Sequence, residues 1–237
     1  MSRSQGTGAA CCLMGVMALS LPVDPLPAQT RPVVIAILPF EDRGSYGQDK
    51  EVFRALQLGI PATIAGELSG HSELRLADPT RVTQAMRAEG VEPTARLDAA
   101  TAARVGKQAG ARYAITGSFA DFYGKFRLDA RIVDVESGQI LKVVSNNDPK
   151  LQDRADLYRI VQAVGHKVLG EATASSRETQ ETNPRIIPTE ALTHYSLGLL
   201  YENQGDDAKA SQHYNEALST FPNYPQAREG VRRVQGR

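Results

Sequence analysis

The sequence has no tryptophan and only two cysteines, Cys11 and Cys12, among its 237 residues. Beyond Ala28 it holds no thiol at all, which excludes disulfides and thiol catalysis there. An oxidising compartment therefore costs such a chain nothing. It also lacks an excess of either charge. Lys+Arg and Asp+Glu both number 27, so no global field points to nucleic acid or anionic lipid. The only dense basic run is Arg228–Arg233. Long apolar runs are absent too: Ala9–Leu21 spans 13 residues, short of the roughly 18–20 that cross a bilayer as a helix. No serine sits in a G-x-S-x-G elbow, and no histidine in an HxxxH or HExxH frame.

What is present is a soluble, globular composition, 41% hydrophobic and 23% charged. Its length suits one ordinary domain with an appendage, or two small domains. Arg3, the apolar run Ala9–Leu21 and Leu26-Pro27-Ala28 make residues 1–28 an expected signal peptide. Gly8-Ala9-Ala10 before Cys11 is the competing pattern of a lipidated cysteine, although the apolar run follows Cys11 instead of preceding it. Membrane contact is thus expected to be peripheral or through a lipid anchor, at most.

Residues 29–174 are expected to form an α+β domain: a mixed sheet containing an antiparallel three-stranded meander, with packed helices. Val33–Phe40 reads as a buried strand. Phe53, Leu56, Ile60, Ile64 and Leu68 mark one helical face, with Pro61 as its start or a kink. Glu73–Ala77 is a short strand. Asp78-Pro79 is an N-cap followed by proline at the first helical position, opening a helix to about Glu89. An Ala-rich helix over Asp98–Ala109 should end at Gly110. The meander is Tyr113–Tyr123, Phe126–Val135 and Gln139–Ser145, turning at Gly124-Lys125 and Ser137-Gly138. A helix with Leu157, Ile160, Val161, Val164, Val168 and Leu169 on one face should cover it. Residues 175–190 read as a linker.

Residues 191–237 are expected to be an α-helical hairpin with a capping helix. Leu197, Gly198, Tyr201, Ala210, Tyr214, Ala217 and Pro222 fall at the spacings of the tetratricopeptide repeat. Small residues let two antiparallel helices approach, aromatics fill the gap, and proline ends the second helix. One such unit buries too little to stand alone. It should dock on the first domain, pair with another copy, or fold around a partner. Tyr195, Asn203, Gln204 and Lys209 are its candidate protein-binding residues.

Val33–Val144 also resembles the envelope family that includes the curli-secretion protein CsgG and the amino-terminal domain of TolB. The residues that carry the likeness are IAILPFED (Ile35–Asp42), Leu58-Gly59-Ile60-Pro61, the string Ala103–Ser118 and Asp134–Ile140. The resemblance implies a periplasmic binding or ring-forming module, with outer-membrane association in the manner of its relatives. Gly117–Val144 has no room for the added hairpins of a membrane barrel, so no pore is implied.

Three places invite sharper chemistry. Glu41, Asp42 and Asp78 could meet as a cation site, but solvated acids and a helix cap explain them. Gly44-Ser45-Tyr46-Gly47 lacks the spacing of a phosphate loop. His194 and His213 can approach each other within the hairpin, where packing or exposure is the expected use. The reading is a non-enzymatic protein with no catalytic residue, cofactor or metal; a cation- or nucleotide-dependent enzyme is the lesser alternative, which a copurifying ligand would favour. It binds or scaffolds envelope proteins through the hairpin or an exposed sheet edge, or assembles as a homo-oligomeric ring, as a subunit of a CsgG-type secretion apparatus.

Overall fold

In the computed structural model, which describes residues 32–47, 49–92, 96–173 and 186–236, the run VVIAILPFED forms strand β1 (Val33–Asp42). It is the middle of the parallel half of a five-stranded sheet. Helix α1 (Lys50–Leu68) leads to the short edge strand β2 (Leu74–Leu76). Helices α2 (Pro79–Ala88) and α3 (Ala99–Gln108) precede the meander β3 (Tyr113–Phe122), β4 (Lys125–Asp134) and β5 (Ile140–Ser145). The order is β2-β1-β3-β4-β5, with β1 parallel to β2 and β3, and the meander antiparallel. A turn of 3₁₀ helix at Arg154–Asp156 opens α4 (Leu157–Thr173). The C-terminal helices are α5 (Thr189–Gln204), α6 (Asp207–Thr220) and α7 (Pro225–Gln235).

The two faces of the sheet bury different sets of side chains. Ile35, Phe40, Ile115, Phe119, Leu128 and Ile132 pack with α1 and α4. Ala36, Leu38, Ala114 and Val133 pack with α2 and α3. Strict alternation from Ile35 would send Phe40 to the second face. A register shift between Ile37 and Phe40 returns it to the first. There its ring lies where a β-carbon on Gly117 would be, 2.3 Å from Cε1. Pro39 occupies the shift, and its carbonyl accepts from Thr116 Oγ1 at 3.1 Å.

Local chemistry caps the two helices of the second face. Asp78 accepts from the Thr80 and Arg81 amides, and Asp98 from that of Thr101. Those backbone hydrogen bonds hold both carboxyl groups below their ordinary range. Gly110, at φ +75°, turns the chain out of α3.

Two local expectations are corrected. Of the two alternatives at Pro61, the helix start is excluded: α1 begins at Lys50 and runs through the proline to Leu68. Interior proline costs a helix about 3 kcal/mol, but Leu56, Ile60 and Ile64 on either side are fully buried. Core packing overrides local preference here. The β3–β4 turn also lies one residue earlier than expected, at Tyr123-Gly124, because Phe122 pairs with Lys125. Both turn residues have positive φ, 53° and 86°, as a two-residue type I′ hairpin requires.

The described residues belong to one compact unit. Helix α5 lies on α1: Leu197 and Leu200 pack with Ala55 and Leu58, and Tyr201 donates its hydroxyl to Glu51. At the other end, Ile187 is buried in the main core, and Thr189 Oγ1 donates to the Ala155 carbonyl at 2.7 Å. The hairpin docks on the first domain, and α1 supplies the apolar surface that one repeat cannot provide alone. Residue 174, residues 175–185 of the expected linker and the expected signal peptide lie outside the described residues, and the last two linker positions, Thr189 and Glu190, open α5.

Candidate protein-interaction surfaces

The hairpin is organised around Tyr214. Its ring is clamped between Gly198 of α5 and Gly230 of α7, where added β-carbons would lie 2.4 and 2.6 Å from it. Larger residues at either position would push the helices apart. Ala210 and Ala217 of α6 are fully buried, and Leu197 is nearly so. The Tyr214 hydroxyl donates to Glu202 at 2.6 Å, and Arg233 grips Glu202 with contacts of 3.0 and 2.8 Å. Burial, and then the bond to Glu202, raise the Tyr214 hydroxyl well above its usual pKa. Pro222 lies between α6 and α7, and its carbonyl accepts from Arg228.

The four candidate binding residues separate. Tyr195 is 5% exposed, with its ring against Tyr214 and Tyr224 at 6.0 and 5.0 Å. Burial pushes its hydroxyl up to about 12. It is a core residue and presents no binding surface, because Tyr214 of α6 and Tyr224 enclose its ring. Asn203, Gln204 and Lys209 remain exposed. Lys209 Nζ lies 4.8 Å from the Tyr201 ring centre. Asn203 stands at the rim of a cleft of about 820 Å³, walled by Leu58, Pro61 and Ala62 of α1 and Val82 and Met86 of α2.

The candidate acids do not converge. Asp42 accepts from the Gly44 and Ser45 amides and the Ser45 hydroxyl, Glu41 pairs with Arg96 at 3.8 Å, and Asp78 is the α2 cap. His194 of α5 and His213 of α6 do converge, with their Nδ1 atoms 3.2 Å apart. Each lies 2.9 Å from Glu216 Oε2. The Gln212 amide, followed by the two imidazoles, holds the Glu216 carboxyl below its ordinary range. The ring of Tyr201 stacks on His213 at 5.4 Å.

Two apolar surfaces remain on the sheet. The edge strand β5 exposes Ile140 (44%), Leu141 (53%) and Val143 (51%). Edge strands usually carry an outward charge that discourages pairing, but Lys142 here is turned back to Glu171 of α4 at 3.1 Å. At the β3–β4 tip, Tyr123 and Phe122 are exposed beside Tyr46, with ring separations of 5.7 and 5.9 Å. The cluster is held from below. The Asp121 amide and carbonyl bond Ser45 Oγ and the Tyr46 amide, and the Asp121 carboxylate accepts from Gly124 at 2.7 Å. Sequence reasoning missed this cluster, since Tyr46 and Tyr123 meet only through the parallel pairing of β1 with β3.

Residues 191–224 match the tetratricopeptide repeat. No curated protein matches the sequence. Among solved structures, the chain is similar to the LpoB C-terminal domain from Salmonella enterica: 16% identity, TM-score 0.37, covering 51% of this chain and 84% of that one. TolB from Acinetobacter baumannii matches at 16% identity and TM-score 0.35, over 60% of this chain and 28% of its own. The PelC dodecamer from Paraburkholderia phytofirmans matches at 15% identity and TM-score 0.34, over 63% and 93%. Likeness of that degree leaves the functional reading to the geometry, and it adds no support for the curli-type part of the sequence resemblance.

Proposed function

We propose that this chain is a non-catalytic protein-binding module of the bacterial envelope, exported to the periplasm and acting near the outer membrane within a secretion or assembly complex. The observation that carries the reading is the open β5 edge, with three exposed apolar side chains and its one lysine engaged elsewhere. An extended partner segment adds to such an edge by main-chain hydrogen bonds, and its side chains find the apolar row. The repeat at 191–224 and the export pattern of residues 1–28 point the same way. So does the exposed face with Asn203, Gln204 and Lys209, the second expected contact for an envelope protein.

Asn146 donates its amide to the Leu128 carbonyl, so alternation turns the amides of Val144 and Lys142 toward β4 and that of Val143 outward. Val143→Pro therefore removes an outward donor and spares the ladder. The test compares wild-type chain and Val143→Pro for capture of partners from envelope extracts, with light-scattering mass recorded for both. Capture lost on substitution supports the strand-addition reading, and unchanged capture sinks it.

A second reading uses the same edge: a copy of the chain pairs at β5 and builds the ring-forming subunit that the CsgG resemblance implies. A large discrete oligomer that falls apart in Val143→Pro would favour the ring over the adaptor.

A further inference from the structure

We infer that His194, His213 and Glu216 form a binding site for a divalent transition-metal cation of the Zn²⁺ class, clamping α5 to α6. The inference is independent of the partner-binding reading.

Three ligand atoms of the right chemistry face one another: His194 Nδ1, His213 Nδ1 and Glu216 Oε2, at 3.2, 2.9 and 2.9 Å. A tetrahedral site with metal–ligand distances of about 2.0–2.1 Å has ligand–ligand edges of about 3.3 Å. The observed triangle is therefore within a few tenths of an ångström of one face of that tetrahedron. Among the described residues this is the one group of three or more His, Cys, Asp and Glu side chains with such spacing.

Hydrogen bonding alone satisfies the triangle poorly. If both imidazoles carry their proton on Nδ1, two N–H groups crowd the same carboxylate oxygen 3.2 Å from each other. If either is protonated on Nε2 instead, its Nδ1 lone pair faces a carboxylate at 2.9 Å. A cation accepts all three lone pairs at once. Imidazole and carboxylate together suit Zn²⁺, Cu²⁺ or Ni²⁺, and exclude a preference for Mg²⁺ or Ca²⁺, which take oxygen ligands.

The surroundings are those of a supported site. Gln212 Nε2 donates to Glu216 Oε1 at 3.0 Å, which orients the carboxylate and leaves Oε2 for the cation. Tyr201 stacks on the His213 ring at an interplanar angle of 9° and limits its rotation. The three side chains are 19–37% exposed, so a cation can enter and the fourth position is open to water. His213 and Glu216 are three residues apart on one helix face, and His194 comes from the neighbouring helix. Binding would therefore cross-link the hairpin that α1 already supports on one side.

The test uses the untagged full chain in a Cys11→Ser/Cys12→Ser background, which removes the only thiols. Zn²⁺ titrated by calorimetry is expected to bind at one equivalent. At a hundredfold excess over Kd it should raise the melting temperature by roughly 5–10 °C, whereas Mg²⁺ should not. Co²⁺ should give the intense visible bands of a tetrahedral site. His213→Ala and the shape-preserving Glu216→Gln should each abolish the bands, with metal-free helicity retained, and Gln212→Ala should weaken binding about tenfold. The double variant His71→Ala/His166→Ala should bind as the parent does. Absence of one-to-one Zn²⁺ binding, or binding that survives both His194→Ala and His213→Ala, overturns the assignment.

Discussion

Gly59 of α1 lies directly against Ser196 of α5: a β-carbon built on Gly59 would sit 1.8 Å from Ser196 Oγ and 2.5 Å from Ser196 Cβ. The contact joins the α+β domain to the repeat. Neither side can yield easily, since Ser196 is fully buried and its hydroxyl is committed to the Leu192 carbonyl at 2.7 Å.

Gly59→Ala should therefore destabilise the protein by about 1–3 kcal/mol through overpacking, although alanine is the better helix former by about 1 kcal/mol. The same substitution in a Ser196→Gly background should cost much less, because the obstructing side chain is gone. Urea unfolding of the four proteins measures the coupling. Strict additivity would mean that the two helices do not meet at these residues.

The buried tyrosines make a pH prediction. Burial raises Tyr195 to about 12, and lifts Tyr214 and Tyr224 well above the ordinary phenol value. In the unfolded chain they ionise near pH 10, so above that pH the unfolded state holds fewer protons than the native one. Stability should be unaffected by these groups below about pH 10 and fall above it, by up to about 1.4 kcal/mol per pH unit for each tyrosine. The Tyr195 share should be lost between about pH 10 and 12. Urea midpoints from about pH 8 to 11 give the slope on either side of the phenol value, and Tyr195→Phe should lower it.

Asp121 is 1% exposed, and its Oδ2 faces Arg154 Nε at 3.2 Å. Arg154→Ala leaves that carboxylate buried without its counter-charge, at a cost of about 3 kcal/mol. The same arginine also reaches Asp49 at 3.4 Å. Because Asp121 supports the β3–β4 tip, the loss should appear in thermal unfolding, together with faster amide exchange at Gly124. Unchanged exchange there would separate the tip from the ion pair.

Tyr123 holds a left-handed conformation, φ 53°, with 87% of its surface exposed. That backbone costs a residue of this shape about 1–2 kcal/mol, and asparagine tolerates it better. Tyr123→Asn should raise stability by about 1 kcal/mol in thermal unfolding while removing the most exposed ring of the aromatic cluster. A drop in stability would show that the stacking on Tyr46 outweighs the strain.

Features that depend on neighbours along the chain are legible in the sequence itself. The Asp78-Pro79 and Asp98 caps bond backbone amides two or three residues on. The apolar run from Val33 reads as a strand because both faces of β1 are covered. The repeat announces itself because Gly198, Ala210, Tyr214 and Ala217 must be small or aromatic for two adjacent helices to touch. Even there, nothing local marks Gly230 as the second wall around Tyr214, since its role depends on α7 folding back.

What tertiary packing decided was everything set by which surface meets which. It carried α1 through Pro61, where buried contacts outweigh a missing hydrogen bond. Packing also hid Tyr195, whose ring lies against Tyr214 and Tyr224. Tyr46 came to rest on Tyr123 across a parallel strand pair, and Glu216 closed a triangle with His194 and His213, whose approach the hairpin pattern already implied. Side-chain identity and spacing determine the elements, because capping and periodicity act over one or two turns. Which faces are covered by docking, and which side chains of distant elements meet, are properties of the assembled surfaces, and no local pattern encodes them.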